Sequence, residues 1–356
     1  MLSLDLKTLL TGGRTTPFAK RSKPKTYDDV TVIGAGAWGT ALAIAFARAG
    51  ARVRLWGRNE AQMQAIKKSR KNRRYLGEVT LPTGVIPTHD LETAVQKADA
   101  VFMVVPSKAM RDMVARVGEH LKPGTPVVSC TKGLDPEDNV LLTDLIKKEL
   151  PTALPMFLSG PSFAQEVAEG HQTHVVLAGD LLITTKVAER LCSDTFHLQP
   201  VDDLIGAQIG GLMKNVVAIA CGISDGFEHG SNTRAAIMAR GLEEASRLCV
   251  ALGGDPATLL GVAGAGDLAL TCTDPQSRNY SFGCSMAKPE FATRSTTFEG
   301  ASSIQNVCKL MEQHGLDAEI SCAVLRVVNG ELPPQELIPT LFAVETAATE
   351  DELIAS

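Results

Sequence analysis

A chain of 356 residues has room for about two domains with ample core. Its formal charge of −5, its 4% aromatic content and the lack of a Lys/Arg stripe interleaved with aromatics argue against nucleic acid as a partner. The eight cysteines hold no C-x-x-C pair and mostly lie in apolar runs, so they read as reduced core residues rather than a disulfide framework or a metal site.

Residues 1–28 carry Lys7, Arg14, Lys20, Arg21, Lys23 and Lys25 and no apolar core of signal-peptide length. They are expected to form a flexible basic arm, either the remnant of a targeting segment or a bacterial extension, with the first core strand beginning near Val30. The expected location is the cytoplasm, or an organelle matrix (plastid or mitochondrion) if the arm is a targeting remnant.

Val30–Ile33 is a short β-branched run, and Gly34-Ala35-Gly36-Ala37-Trp38-Gly39 follows it directly. An Ala-rich helix from Thr40 to Ala49 comes next, then Gly50 and a second strand, Arg52–Trp56. A G-x-G-x-x-G between strand and helix is the fingerprint of a dinucleotide site. Gly34 permits the tight turn, Gly36 the approach of a pyrophosphate, and Gly39 close packing of helix on strand. Where an NAD-specific site would carry an acid for the ribose 2′-hydroxyl, this chain has Arg58, which suits a 2′-phosphate. The expected cofactor is therefore NADPH or NADH, with NADPH slightly favoured.

Ala100–Val105, Pro126–Cys130, Met156–Ser159 and Thr173–Leu177 read as further strands, the first two without alternation, as in a parallel sheet buried on both faces. Loops after strand C-termini face the cofactor crevice. Lys132, in a Gly-flanked turn, stands on one of them. His171 and His174, the closest His pair, read as strand-edge or loop residues, and no metal is expected. From Asp202 helical patterns take over: Leu204–Ser224, Thr233–Leu252, Ser302–His314 and Cys322–Asn329. The fold class is thus α/β, an N-terminal Rossmann-type domain (29–202) followed by a mainly α-helical substrate domain (203–345) and a C-terminal tail (346–356).

Leu204–Ser224 bears one charge, Lys214, at its centre, which is costly at a bilayer midplane. A buried helix is expected, not a membrane span. Leu259–Cys272 likewise bears one charge, Asp267. Two isolated opposite charges in apolar surroundings invite pairing. Lys214 would then be placed to protonate the alkoxide formed by hydride transfer to a carbonyl. Ser277-Arg278-Asn279 offers a guanidinium fork and further donors for phosphate oxygens.

In chain order, Gly34–Ala41, Asn72-Arg73-Arg74-Tyr75-Leu76, Thr131-Lys132-Gly133, Ser159-Gly160-Pro161-Ser162-Phe163-Ala164, Lys214-Asn215-Val216, Gly266-Asp267-Leu268, Ser277-Arg278-Asn279 and Phe298-Glu299-Gly300 resemble the soluble NAD(P)-dependent glycerol-3-phosphate dehydrogenase family. Arg58 and Ser277-Arg278-Asn279 are more similar to its bacterial and plastid branch. The resemblance implies reversible reduction of dihydroxyacetone phosphate to sn-glycerol 3-phosphate, the glycerophospholipid backbone. It implies Lys214 as general acid, with Lys132, Asp267 and Thr271 positioning the reacting oxygen. Gly160, Ser162, Ser277, Arg278 and Asn279 would line the substrate pocket. Ala37, Trp38, Arg58, Lys132, Ala164, Arg278, Thr297 and Glu299 would join Gly34, Gly36 and Gly39 at the cofactor. Two departures are the short Ala287–Thr297 segment and Thr297 in place of an apolar residue. A homodimer is conceivable on this reading. The alternatives are a two-domain reductase of a 2-keto or 3-hydroxy acid, and an inactive NAD(P)H sensor.

Overall fold

The computed structural model describes residues 26–288 and 301–343. Its strands are β1 (Asp29–Ile33), β2 (Arg52–Trp56), β3 (Val85–Thr88), β4 (Ala100–Met103), β5 (Pro126–Ser129), β6 (Leu154–Ser159), β7 (Thr173–Ala178) and β8 (Phe196–Val201). They form one sheet in the order β3-β2-β1-β4-β5-β6-β7-β8. All pairings are parallel except β6 with β7, where Ser159 faces Val176. The order reverses between β1 and β4, which makes the crevice beyond Ile33 and Met103 the ligand-binding position of an open α/β sheet. Every residue of β4 and β5 is buried, in keeping with the apolar sequence that only Ser129 at the end of β5 interrupts.

β3 and β8 were not foreseen. Pro87 interrupts the pattern of the first, and the second alternates polar and apolar residues over its first four positions. The apolar run from Ala100 also leaves the sheet at Met103, before Val104 and Val105.

The helices of this half are α1 (Ala37–Arg48), α2 (Glu60–Ser69), α3 (Arg73–Leu76), α4 (Leu91–Gln96), α5 (Met110–Gly118), α6 (Leu142–Glu149), α7 (Ala164–Glu169) and α8 (Leu181–Leu191). Phe46 of α1 meets Phe102 and Phe196 beneath the sheet. Tyr27 is buried in the same cluster, and Asp28 accepts a hydrogen bond from Arg190 at 2.6 Å. The expected arm of 1–28 therefore gives way to core at Tyr27, whose ring finds apolar neighbours.

Helices alone follow: α9 (Leu204–Gly226), α10 (Ser231–Ala251), α11 (Asp267–Thr273), α12 (Arg278–Ser285), α13 (Ala301–Gln313), α14 (Glu319–Val328) and α15 (Leu337–Leu341). Asp203 starts α9 by accepting from Gly206 N–H at 2.9 Å. By length and composition α9 could cross a membrane, but 83% of its apolar window is buried in the protein. It is the axis on which α10, α11, α12 and α14 pack. Its contact with α12 is backbone on backbone: a Cβ on Gly222 would lie 2.1 Å from the Tyr280 carbonyl oxygen.

Four cysteines are buried and three half-buried, but Cys322 is exposed, which corrects its reading as a core residue. It lies on the outer face of α14, whose apolar stripe uses Ile320, Ala323, Val324 and Val327. His174 and His197 stack across β7 and β8 with centroids 4.4 Å apart.

Candidate active site

The turn from β1 into α1 is fixed by sterics. Gly34 has φ +120°, and a Cβ there would stand 2.2 Å from the Val104 carbonyl oxygen. A Cβ on Gly39 would stand 1.9 Å from the carbonyl oxygen of Gly34, so the helix can fold back on its own turn only with glycine. Gly36 differs: nothing lies within 4 Å of its Cβ position, and the backbone there faces open space. α1 has no side-chain N-cap and no acidic residue in its first turn, so its first N–H groups remain available to an anion. The cradle therefore fits a dinucleotide pyrophosphate.

Two residues without an assigned role stiffen this cradle. Asn72 is buried and donates to the Ala35 carbonyl at 3.1 Å and to Thr40 Oγ1 at 2.8 Å. Thr40 Oγ1 in turn donates to the Gly36 carbonyl at 2.7 Å. Ala37 opens α1, half-buried Trp38 packs against the sheet core, and Ala164 opens α7 against the same core. Arg58 is exposed just past β2 and makes no hydrogen bond or ion pair among the described residues. Thr297 and Glu299 lie outside the described residues.

Three charges meet across the junction of sheet and helices. Lys132 comes from the turn after β5, Lys214 from mid-α9, and Asp267 from the first position of α11. Asp267 is fully buried. Its Oδ2 accepts from Lys132 Nζ at 2.6 Å, and its Oδ1 accepts from Lys214 Nζ. A single π turn, Val262–Gly266, delivers Asp267 to this point. Gly211 lets α9 come close, since a Cβ there would be 2.9 Å from Ser159 Oγ and 3.3 Å from Lys132 Cγ. Burial, then the neighbouring Lys132 charge, hold the Lys214 ammonium well below the usual lysine range, against the opposing pull of Asp267. With both lysines protonated the trio carries one net positive charge.

Thr271 Oγ1 donates to the Asp267 carbonyl at 2.6 Å, so its proton is already engaged and its lone pairs remain as acceptors. Ser162 Oγ donates to the Gly160 carbonyl at 3.0 Å, and Lys132 Nζ reaches the same carbonyl at 3.4 Å. Gly160 itself has φ +143°.

Ser277 caps α12, accepting from Tyr280 N–H at 3.3 Å. Asn279 Nδ2 donates to Asn215 Oδ1 at 2.9 Å. These two amides, Lys132 and Ser303 line a cleft of about 410 Å³, counting its open mouth, whose apolar wall includes Ile304 and Val307. Arg278 is exposed at the start of α12, without a partner among the described residues. Asn215 and Ser303 were missed as site residues. Asn215 follows Lys214 directly, but only the placement of α12 shows which way it faces.

Comparison with known proteins agrees over most of the chain. Residues 29–181 match the family model for the N-terminus of NAD-dependent glycerol-3-phosphate dehydrogenase, and residues 203–339 match the model for its C-terminus. The chain is 41% identical over 330 residues to glycerol-3-phosphate dehydrogenase (NAD(P)+) of Halorhodospira halophila, covering 91% of this chain and 99% of that one. It is 42% identical over 319 residues to the enzyme of the same name from Azorhizobium caulinodans, covering 89% and 97%. Among solved structures, glycerol-3-phosphate dehydrogenase from Coxiella burnetii superposes with a TM-score of 0.82 at 36% identity, covering 88% of this chain and 98% of that one.

Proposed function

The chain belongs to the NAD-dependent glycerol-3-phosphate dehydrogenase family, and from that premise we propose how its own residues carry out the reaction. The reaction is the reversible NAD(P)-linked reduction of dihydroxyacetone phosphate to sn-glycerol 3-phosphate. Gly34, Gly36 and Gly39 would hold the nicotinamide cofactor, which when bound would supply the hydride for the substrate C2 carbonyl.

The observation that carries the assignment is the fully buried Asp267 shared by Lys132 and Lys214. Lys214 gives its proton to the C2 oxygen as charge develops there. Burial and Lys132 have already weakened its hold on that proton, as an acid working near neutrality requires. In the oxidation direction the neutral amine takes the proton back. Asp267 keeps both lysines aimed at one point, and Lys132 polarises the same oxygen. Asn215 and Asn279, which line the cleft, together with Ser277 and Arg278 at the start of the helix that carries Asn279, are the candidate donors for the phosphate end. With both lysines protonated, the single net positive charge of the trio favours a phosphorylated substrate over a neutral one. Gly160 and Ser162 close the sheet side.

For the cofactor's adenosine end, the proposal is a preference for NADPH, supported by an exposed Arg58, without a partner among the described residues, where an acid would favour NADH.

The direct test is Lys214→Met, which keeps an apolar stem of similar length. The folded variant should bind cofactor normally while kcat falls by roughly a hundredfold or more, the scale of lost general-acid help. A folded variant with near-wild-type kcat would move the acid role to Lys132.

A further inference from the structure

We infer that Gln208 of α9 is a positioning residue for the reaction, because its side-chain amide locks the helix that bears Lys214 to the segment that bears Lys132. Gln208 and Thr143 are both buried. Gln208 Oε1 accepts from the Thr143 backbone N–H at 3.2 Å, and its Nε2 donates to Thr143 Oγ1 at 2.8 Å and to the Leu204 carbonyl at 2.9 Å. A backbone N–H can only donate, which fixes which end of the amide is oxygen. A buried amide left unbonded would be costly, and here both of its ends are engaged.

The start of α6 explains why Thr143 is the partner. Its N-cap is Leu141, which makes no side-chain cap, so the first N–H groups of α6 lack a local acceptor. Gln208 supplies that acceptor from the other half of the protein. Lys132 lies upstream in the same segment. Leu134 and Leu141 form a bridge between the two ends of the intervening loop, and both belong to the apolar cluster of Leu212 and Met213 on α9. The Lys132 segment thus docks on α9, and Gln208 is a polar anchor of that docking. Along α9 it precedes Lys214 by about 9 Å.

Asp267 does not depend on this anchor, because α11 packs directly on α9 and Asp267 stays with Lys214. Lys132 is the group that retreats when the anchor is lost. Lys214 then loses a like charge and some burial while keeping its carboxylate partner, and both losses favour its ammonium form. The other elements around it are uncharged there: α10 presents Gly241, Leu242 and Ala245, α12 presents Asn279, and α13 presents Ser303. The inference rests on Lys214 as the proton donor of the proposed function.

The experiment uses three variants of the full-length protein. Gln208→Leu keeps the bulk and removes both bonds to Thr143. Thr143→Val, made on the sheet half, removes only the Oγ1 bond, and Thr143→Ser keeps both. The alkaline limb of kcat/KM for reduction of dihydroxyacetone phosphate should move to higher pH in Gln208→Leu, less in Thr143→Val, and not at all in Thr143→Ser. In Gln208→Leu kcat should fall roughly tenfold, short of the hundredfold that about 1 Å of misplacement can cost, and KM should change less than kcat. A merely structural tie would lower the urea midpoint of unfolding and leave the limb in place. A folded Gln208→Leu with the wild-type limb would therefore overturn the inference, and so would Thr143→Val with the wild-type limb should Gln208→Leu fail to fold. Trace acetylation of Lys214 by acetic anhydride against pH, read by mass spectrometry, follows the same titration without turnover. Lack of turnover in the wild type would count against the proposed function, whereas Lys214 labelling curves that coincide in wild type, Gln208→Leu and Thr143→Val would overturn the role of Gln208.

Discussion

Among single residues, Lys214 has the most to lose from a change in its surroundings. Burial is the largest cause holding its ammonium below the ordinary lysine value, Lys132 adds to it, and Asp267 opposes both. Carbonyl reduction needs the protonated amine, so its rate declines as pH rises through that lowered value. Lys132→Met removes a like charge and should move this alkaline limb to higher pH. Asp267→Asn removes the stabilising partner and should move it lower. The measurement is kcat/KM against pH for reduction of dihydroxyacetone phosphate, reading the shape of the curve because both variants will also lose absolute rate. Shifts in the same direction would disprove the electrostatic account. Arg58 poses a separate question at the other end of the cofactor. Arg58→Asp exchanges a 2′-phosphate partner for a ribose 2′-hydroxyl partner. The ratio of kcat/KM for NADPH to that for NADH should fall at least tenfold, about 1.4 kcal/mol. An unchanged ratio would dismiss Arg58 as a solvated loop residue.

At the level of elements, the site depends on helices that touch through backbone. α9 carries Lys214 and Asn215, and α12 carries Asn279. Their seam is closed by Gly222 against the Tyr280 carbonyl and by Gly283 against the Ile219 carbonyl. A Cβ on Gly222 has no flexible side chain to displace, so the helices must separate. Gly222→Ala should cost about 1–3 kcal/mol, as overpacking does. It should also loosen the Asn279–Asn215 bond and raise KM for dihydroxyacetone phosphate more than it lowers kcat. Urea unfolding and steady-state kinetics read the two effects, and a variant with wild-type stability would show that the seam yields more easily than its geometry implies. α1 follows the same logic with a different purpose. Its glycines bring turn and helix together, and its uncapped start leaves donors for the pyrophosphate.

Across the whole molecule, the sheet half and the helical half complete one site between them. Lys132 and Gly160 belong to the sheet half, and Lys214 and Asp267 to the helical half. The Lys132–Asp267 ion pair spans the junction at 2.6 Å. Gln276 Nε2, next to Ser277 and Arg278, donates across the same junction to Glu166 on α7 at 3.0 Å. The sheet half and the helical half are thus tied together at these two points.

The sequence alone determined the parts of this arrangement whose causes are local. The β1–α1–β2 unit was legible because glycine spacing, strand and helix all fall within Val30–Arg58, and Gly34 and Gly39 each have a steric reason there. Lys214 and Asp267 were legible as partners because an isolated charge in an apolar stretch must find a counter-charge. Other features depended on distance in space rather than in sequence. That Lys132 shares Asp267 with Lys214, with 135 residues separating Lys132 from Asp267, follows only from how α9 and α11 dock on the end of the sheet. Asn72 gives no sign in sequence of bracing the dinucleotide turn, because its partners Ala35 and Thr40 are supplied by another element. β8 was hidden since its stability comes from pairing with β7, not from its own alternation. Tyr27 and Cys322 were misplaced for one shared reason. Burial is set by which neighbours the fold brings to a residue, and residue type gives only a weak prior for it.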